Sequence, residues 1–233
     1  MTKEYSRPLS IAIDGPVSAG KSTLSDALAR KLGILHLDTG AMYRAMGLYA
    51  LENGIDPKDE TALEDVIKNN AAVVSVEYAD NMQKTLLNGQ DITHRLREET
   101  VGAAASAVSR YPAVRRYLVG IQQRLSREQS LLIDGRDIGT VVLPDASIKI
   151  FLTATPEARA LRRYTQIIAD GEKVNYPKVL EDLIKRDAQD TGREHDPLRP
   201  AEDAVVLDTS ALSFEETLAK LLALVEAKRD RQA

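Results

Sequence analysis

The stretch Gly15-Pro-Val-Ser-Ala-Gly-Lys-Ser22 decides the fold, because it fits the pattern G-x-x-x-x-G-K-[ST] at every fixed position. It follows an apolar run at residues 9–13 that predicts a strand, and it opens a helical pattern over residues 22–31. Glycines let such a loop curl closely around phosphates, and its N–H groups then point at the anion. We therefore expect a loop that holds the phosphates of ATP and that comprises Gly15, Pro16, Val17, Ser18, Ala19, Gly20, Lys21, Ser22 and Thr23.

Two side chains of this loop have expected roles of their own. Lys21 is placed to reach the β- and γ-phosphates, and the Ser22 hydroxyl is placed to occupy one position on Mg²⁺. The alternative is a glycine-rich turn that happens to contain Lys and Ser, which the complete motif in a strand-to-helix context disfavours. The loop alone does not identify the acceptor, since water, a small metabolite and a nucleotide are all compatible with it. The sequence contains no Asn-Lys-x-Asp motif, which disfavours a GTPase.

Strand-like runs alternate with helical patterns along the whole chain. The apolar runs at 9–13, 34–37, 131–133, 148–152 and 204–207 predict five strands, and residues 112–127, 156–169 and the stretch after Ser213 predict helices between and after them. Ser213 and Glu216 have the spacing of a capping box. This alternation predicts an α/β fold with a mostly parallel five-stranded sheet flanked by helices.

One segment departs from this alternation. Two β-like runs and a short third one lie within residues 70–98, and Asn88-Gly89 between the last two is a strong hairpin signal. We therefore expect a small antiparallel β insert at about 70–98. No linker that would separate two full domains is visible, so residues 1–233 are predicted to form a single domain.

The composition limits the classes of function. The chain has 233 residues, a net charge of −4, no Cys, no Trp and two Phe, which excludes disulfides and argues against a nucleic-acid partner. Residues 1–7 are polar and lack the apolar run of a signal peptide, and the apolar runs are too short to span a bilayer. We expect a cytoplasmic protein, without a membrane partner and monomeric.

Polar clusters follow two of the predicted strands. The second strand runs into Asp38-Thr-Gly-Ala-Met-Tyr-Arg44, and the third runs into Asp134-Gly-Arg-Asp137. Ligands bind beyond the carboxyl ends of the strands in open α/β sheets, although Asp and Gly are also typical of solvated loops. Asp38 and Asp134 either order water molecules on Mg²⁺ or have a purely structural role.

Arginines add a third group of candidates. Arg159, Arg162 and Arg163 share one face of a predicted helix, and Arg186, Asp190 and Arg193 follow a similar spacing further on. A charged stripe is usually a solvated helix face, but phosphoryl transfer needs cations around the transferring oxygens. The polar segment 168–177 between these helices is typical of a mobile lid that excludes water.

These residues resemble the bacterial cytidylate kinase family of the longer type. The resemblance covers essentially the whole chain, and its most specific pieces are the hairpin stretch Leu87-Asn-Gly-Gln-Asp-Ile92 and the stretch Ile133-Asp-Gly-Arg-Asp-Ile-Gly-Thr-Val141. Many members of the family have Ser where this chain has Thr39, and the hydroxyl is kept. The resemblance implies a nucleoside monophosphate kinase with a P-loop core, an acceptor-binding region at about 39–115 and a helical lid at about 156–193.

The resemblance also implies the reaction and the roles of individual residues. ATP and CMP or dCMP would give ADP and CDP or dCDP, with Mg²⁺ as cofactor. Cytosine recognition would fall to Ser106, Arg115 and Asp137. The acceptor phosphate would be held by Arg44, Arg136 and Arg193, the sugar by Arg186 and Asp190, and Thr39 would also contact the acceptor. The catalytic cations would be Lys21, Arg136 and a lid arginine, with Arg162 and Arg163 as the two candidates.

Two alternatives stay open at this point. The first is a P-loop kinase for another acceptor, such as UMP, AMP or a small metabolite. The second is a nucleotide-binding regulator that holds ATP without turnover, which the lack of a basic stripe and of an aromatic platform disfavours.

Overall fold

The structure of the protein is a computed structural model that describes residues 8–230. The polar residues 1–7, on which the expectation of no signal peptide rests, lie outside the described part. The elements are, in chain order, β1 (Ser10–Asp14), α1 (Lys21–Leu32), β2 (Leu35–Asp38), α2 (Thr39–Glu52), α3 (Glu60–Lys68), β3 (Val74–Ala79), β4 (Met82–Leu87), β5 (Gln90–Asp91), a 3-10 helix (Thr93–Arg97), α4 (Glu99–Val108), α5 (Pro112–Glu128), β6 (Leu131–Gly135), a π-helical turn (Ile138–Val142), β7 (Ile148–Thr153), α6 (Pro156–Ala169), α7 (Tyr176–Thr191), β8 (Val205–Asp208) and α8 (Phe214–Asp230).

The main sheet has five parallel strands in the order β2-β6-β1-β7-β8, which confirms the predicted fold class. In its register, Ile11 lies opposite Ile148 and Ile150 lies opposite Val205. Every residue of β6 is buried, as expected for a strand covered on both faces. β1, β2 and β8 are each displaced by one residue from their predicted positions, a shift that is common at element ends.

The described chain divides into two compact units. The first comprises Leu35–Leu131, and the second comprises Leu9–Ile34 with the chain from Leu132 onward. The predicted acceptor-binding region, lid and single domain stay predictions. Among residues 8–230, no helix combines the length and the apolar character that crossing a bilayer requires.

The second unit has a hydrophobic core between its strands and the helices α1 and α8. Leu28 of α1 and Leu221 of α8 are fully buried in the same cluster as Ile13 and Ile150. Gly33 ends α1 in the left-handed conformation with φ 66°. The predicted capping box begins α8, where Glu216 N donates to Ser213 Oγ over 3.1 Å and Ser213 N donates to Glu216 Oε2 over 2.8 Å.

The first unit contains the predicted β insert as a three-stranded antiparallel sheet in the order β3-β4-β5. Asn88 and Gly89 join β4 to β5 with φ values of 52° and 80°, as a type I′ hairpin turn requires, so this prediction is confirmed. Asp80 and Asn81 form a second turn of positive φ that joins β3 to β4.

Helices α2 and α4 of the first unit make a close contact at Gly47. A Cβ atom on Gly47 would lie 2.8 Å from the Ala105 nitrogen and 3.0 Å from the Ala104 Cβ. Only glycine therefore fits between the two helices at this point.

Candidate active site

The stretch from Gly15 to Ser22 forms the expected loop between β1 and α1. Ser18 and Gly20 have φ values of 58° and 86°, in the left-handed region, and Gly15 has φ 149°. A Cβ atom on Gly15 would lie 2.0 Å from the carbonyl oxygen of Leu152, so the loop runs too close to β7 for any side chain there. The backbone of this loop therefore requires its first glycine.

Helix α1 begins at the end of this loop without a capping side chain. Gly20 is the N-cap and makes no side-chain hydrogen bond, and the first turn of α1 contains no acidic residue. The first N–H groups of a helix have no partner within the helix and carry a partial positive charge. This helix start is therefore suited to a phosphate.

Lys21 is the first residue of α1, and its side chain folds back onto the phosphate-binding loop. Its side chain is buried, and its Nζ donates a hydrogen bond to the Pro16 carbonyl over 2.7 Å. Burial and then the nearby Arg136 lower the pKa of Lys21 well below its usual value, while Asp134 and Asp14 act in the opposite direction. An anion placed at the loop would supply the charge that stabilises the ammonium group.

Ser22, in the first turn of α1, forms a hydrogen bond with Asp134, near the carboxyl end of β6. The Ser22 hydroxyl donates to Asp134 Oδ2 over 2.9 Å, and Asp134 is buried. A hydroxyl and a carboxylate are both hard oxygen donors of the kind that Mg²⁺ prefers. This donor set fits the magnesium ion expected with ATP, and phosphate oxygens and water would supply the remaining positions.

Asp14, the last residue of β1, was not singled out from the sequence. Its buried carboxylate accepts from Ile138 N and from Gly139 N, each over 2.7 Å. Burial raises the pKa of Asp14 to about 6, although these two hydrogen bonds act in the opposite direction. The carboxylate fixes the backbone that immediately follows Arg136 and Asp137, and Asp137 itself is buried.

The Asp190 carboxylate contacts two of the predicted arginines of the second unit. Arg136 Nε donates to Asp190 Oδ2 over 2.8 Å, and Arg193 Nη2 contacts the other oxygen of the same carboxylate. Burial alone would raise the pKa of Asp190, but Arg136, Arg193 and Arg186 outweigh it and lower that pKa. Arg193 lies beyond the end of α7 and still joins this cluster.

The three arginines of α6 have different environments rather than one shared role. Arg159 is buried and pairs with Asp187 of α7, and its Nη1 also donates to the Val17 carbonyl in the phosphate-binding loop over 3.1 Å. Arg162 Nη1 donates to Thr209 Oγ1 over 3.0 Å, whereas Arg163 is exposed and contacts Gln166 of its own helix.

In the first unit, Asp38 contacts both the main chain and an arginine of the first turns of α2. Asp38 caps α2 by accepting from Ala41 N over 3.2 Å, so this carboxylate has a structural role. Arg44 Nη1 lies 3.8 Å from Asp38 Oδ2, and Thr39 is buried at the first helical position. Arg44 is about one-third exposed.

Ser106 and Arg115 are linked through Ser109 at the end of α4. The Ser109 hydroxyl donates to the Ser106 carbonyl over 3.0 Å, and Arg115 Nη1 donates to the Ser109 carbonyl over 3.4 Å. The buried Arg115 guanidinium also lies 6.0 Å from the centre of the Tyr43 ring, within the range of a cation–π contact. Ser109 carries no sequence signal that would have identified it, and Tyr43 lies in the cluster 38–44 without an expected role of its own.

The parallel sheet, the phosphate-binding loop and the Ser22–Asp134 pair define a P-loop nucleotide-binding protein. Solved structures share this fold: a gluconokinase from Sinorhizobium meliloti has a TM-score of 0.50 and 14% identity, with 97% of this chain and 96% of that chain covered. An uncharacterised protein from Eubacterium ventriosum has a TM-score of 0.51 and 12% identity, with 95% and 99% covered.

Relatives of known name are much more similar in sequence. The family model described as cytidylate kinase matches residues 11–227. A cytidylate kinase from Caldicellulosiruptor bescii is 47% identical, with 94% of this chain and 96% of the relative covered. One from Bacillus licheniformis is 41% identical, with 97% and 99% covered. The chain belongs to the cytidylate kinase family.

Proposed function

We propose that the chain transfers the γ-phosphoryl group of ATP to CMP or dCMP and releases ADP with CDP or dCDP. The observation that carries this proposal is the phosphate-binding loop with Lys21 in the same unit as the arginines around Asp190. Such a unit can hold a triphosphate and also offers fixed cations to a second phosphate. The identity of 41–47% to proteins named cytidylate kinase supports cytidylate as the acceptor.

The triphosphate of ATP would be bound by the loop residues 15–23. The N–H groups at the start of α1 would donate to phosphate oxygens, and Lys21 would exchange its contact with the Pro16 carbonyl for the β- and γ-phosphates. Ser22 and Asp134 would hold Mg²⁺, Ser22 directly and Asp134 through water. When bound, this ion neutralises the charge that develops on the phosphate oxygens.

The acceptor phosphate and sugar would be contacted by the Asp190 cluster. Arg136 and Arg193 are each held by one oxygen of Asp190, which fixes the two guanidinium groups without consuming all of their donors. We assign both to the acceptor phosphate, together with Arg44 of the first unit. Arg186 and Asp190 would contact the sugar, and Thr39 of the first unit would also contact the acceptor.

Cytosine would be distinguished from uracil by hydrogen bonding. The Asp137 carboxylate accepts from the exocyclic amine of cytosine, whereas uracil presents an oxygen at that position and leaves no proton to share. Arg115 and Ser106 of the first unit donate to the ring acceptors. A buried mismatch of this kind costs roughly 10²-fold in discrimination.

The transfer itself needs positioning and charge neutralisation more than covalent chemistry. The attacking oxygen of the acceptor phosphate is already anionic, so no general base is assigned. Lys21 and Arg136 would stabilise the charge on the transferring group, together with either Arg162 or Arg163 from a lid at about 156–193. For Arg162, this role requires it to leave its contacts with Thr209.

A coupled assay of ADP formation tests the proposal. The purified chain is supplied with ATP, Mg²⁺ and, separately, CMP, dCMP, UMP, AMP and shikimate. We expect CMP or dCMP to have the highest kcat/KM, and we expect Lys21→Ala to reduce the rate by about 10²- to 10³-fold. A higher kcat/KM for another acceptor would overturn the assignment.

We also propose that the protein is a cytoplasmic monomer. Light scattering during gel filtration would test the oligomeric state, and fractionation of source cells would test the location.

A further inference from the structure

Gln83, in the second strand of the β insert, contacts the main chain at the start of α2. Its Oε1 accepts from Asp38 N over 2.7 Å, and its Nε2 donates to the Asp38 carbonyl over 3.3 Å. One carboxamide therefore pairs with both main-chain groups of a single residue, in the way that a neighbouring strand would. Both residues belong to the first unit.

The contacted residue has a particular position in the fold. Asp38 is the last residue of β2 and the N-cap of α2, and its own side chain accepts from Ala41 N and lies near Arg44. Fixing the main chain of Asp38 consequently fixes the direction in which α2 begins. Thr39, which is buried next to it, and Arg44, one turn further along, are the residues assigned above to the acceptor.

Gln83 is itself held in place by the insert. Its Nε2 also donates to Thr85 Oγ1 over 3.1 Å, and Thr85 is buried. Gln83 lies opposite Tyr78 in the antiparallel pairing of β3 with β4. The carboxamide thus has three hydrogen bonds and a position set by the sheet, which is the arrangement of a rigid support rather than of a flexible surface side chain.

We propose that the β insert supports the acceptor site and that Gln83 is the positioning residue through which it acts. This inference rests on the proposed function, because the acceptor is what Thr39 and Arg44 are assigned to bind. Gln83 is assigned no contact with either nucleotide, and its effect is transmitted through the main chain of Asp38 to α2.

Two substitutions separate this role from general stability. Gln83→Met keeps the length of the side chain and removes all three hydrogen bonds, whereas Gln83→Glu keeps an acceptor for Asp38 N and loses the donor to the Asp38 carbonyl. The matched control is Lys84→Met, because Lys84 is the next residue of β4, points to the opposite face and is half exposed.

Steady-state kinetics and amide hydrogen exchange on the full chain provide the test. For Gln83→Met we expect kcat/KM for CMP to fall roughly 10-fold, KM for ATP to change less than about 2-fold, and exchange at the Asp38 amide to accelerate. Gln83→Glu should lie between wild type and Gln83→Met in both measurements, and Lys84→Met should match wild type.

The outcomes distinguish this inference from the proposed function. If the wild type does not phosphorylate CMP, the proposed function fails. If it does, but Gln83→Met leaves KM for CMP and the Asp38 exchange rate unchanged, or changes KM for CMP and ATP equally, the positioning role is overturned. If Gln83→Met does not fold, Gln83→Glu decides alone: faster Asp38 exchange with weaker CMP binding supports the role, and wild-type behaviour overturns it.

Discussion

Arg159 and Asp187 form a two-pronged ion pair that joins α6 to α7, with Nη1 3.0 Å from Oδ1 and Nη2 2.6 Å from Oδ2. The arginine is buried, and its remaining donors reach the carbonyls of Ala154 and Val17. The same guanidinium therefore links two helices of the predicted lid to the phosphate-binding loop. A planar group with five donors can make such a set of contacts, and a lysine cannot.

The Arg159→Ala variant should be strongly destabilised. Removing Arg159 leaves the Asp187 carboxylate, which is about one-fifth exposed, without its partner, so the loss in the free energy of unfolding should approach but not exceed the roughly 3–5 kcal/mol of a fully buried pair. Urea unfolding measures this cost. The control is Arg163→Ala, where an exposed arginine with one local contact to Gln166 should change the free energy of unfolding by less than about 0.5 kcal/mol. Equal effects of the two variants would contradict the structural difference between them.

The Ser22→Ala variant should bind the divalent cation more weakly. Its hydroxyl is the donor that we assign to Mg²⁺, and its partner Asp134 would lose a hydrogen bond at 2.9 Å. Binding of Mn²⁺ with a non-hydrolysable ATP analogue, followed by electron paramagnetic resonance, should weaken by about 10-fold or more. Ser25→Ala on the same helix is the control, since the buried Ser25 hydroxyl has no hydrogen-bond partner among residues 8–230. Unchanged affinity in Ser22→Ala would remove Ser22 from the cation site.

The Asp137→Asn variant should lose part of its preference for CMP over UMP. An amide can turn its NH₂ group toward the uracil oxygen, which the carboxylate cannot, so the ratio of kcat/KM values should fall by about 10-fold or more. The exposed Asp145→Asn, later in the same loop region, is the control and should keep the wild-type ratio. A ratio unaffected by Asp137→Asn would show that the base contact lies elsewhere.

The contribution of Asp14 to the stability of the protein should decrease as the pH rises, which is the opposite of the usual behaviour of a carboxyl group. The pKa of its carboxyl is about 6 in the folded protein, against a value of 3.8 for the unfolded chain, so the folded protein binds this proton more tightly. The contribution of Asp14 to the free energy of unfolding should therefore fall as the pH rises from about 4 to about 6, by at most about 3 kcal/mol, and stay constant above that range.

Comparison of the wild type with Asp14→Asn isolates this contribution together with its coupling to the neighbouring Asp137, because carboxyl groups remote from Asp14 titrate equally in both. Unfolding in urea at pH 4, 5, 6 and 7 gives the difference between the two proteins at each pH. The difference should change between pH 4 and 6 and be flat above. Parallel profiles would show that Asp14 does not titrate with a raised pKa.

Local patterns in the sequence predicted the elements of the fold well. The helix predicted over 156–169 has those bounds in the structure, and the Asn88-Gly89 turn lies where its residue types indicated. These features depend on neighbouring residues, whose periodicity and turn chemistry are visible in the sequence. The phosphate-binding loop was equally predictable from the sequence, because its glycines, lysine and serine have a fixed spacing.

The contacts that support the candidate site were not predictable in this way. Gln83 and Asp38 are 45 positions apart, and Asp14 and Gly139 are 125 apart. Arg159 has the spacing of a solvated arginine stripe, and only the packing of α6 against α7 reveals that it is buried and paired. The sequence thus predicted candidate substrate-binding residues, whereas the residues that hold these candidates in place became visible only in the structure.

The absence of a side chain at Gly47 has a consequence for the acceptor. One helix at this contact carries Arg44, which we assign to the phosphate end of CMP, and the other carries Ser106, which we assign to its base. Because a methyl group at Gly47 would clash with Ala104 and Ala105, the two helices approach each other more closely here than a larger residue would allow. Under these assignments, Gly47 sets the spacing between the residues that bind the two ends of CMP, although Gly47 itself is assigned no contact with the nucleotide.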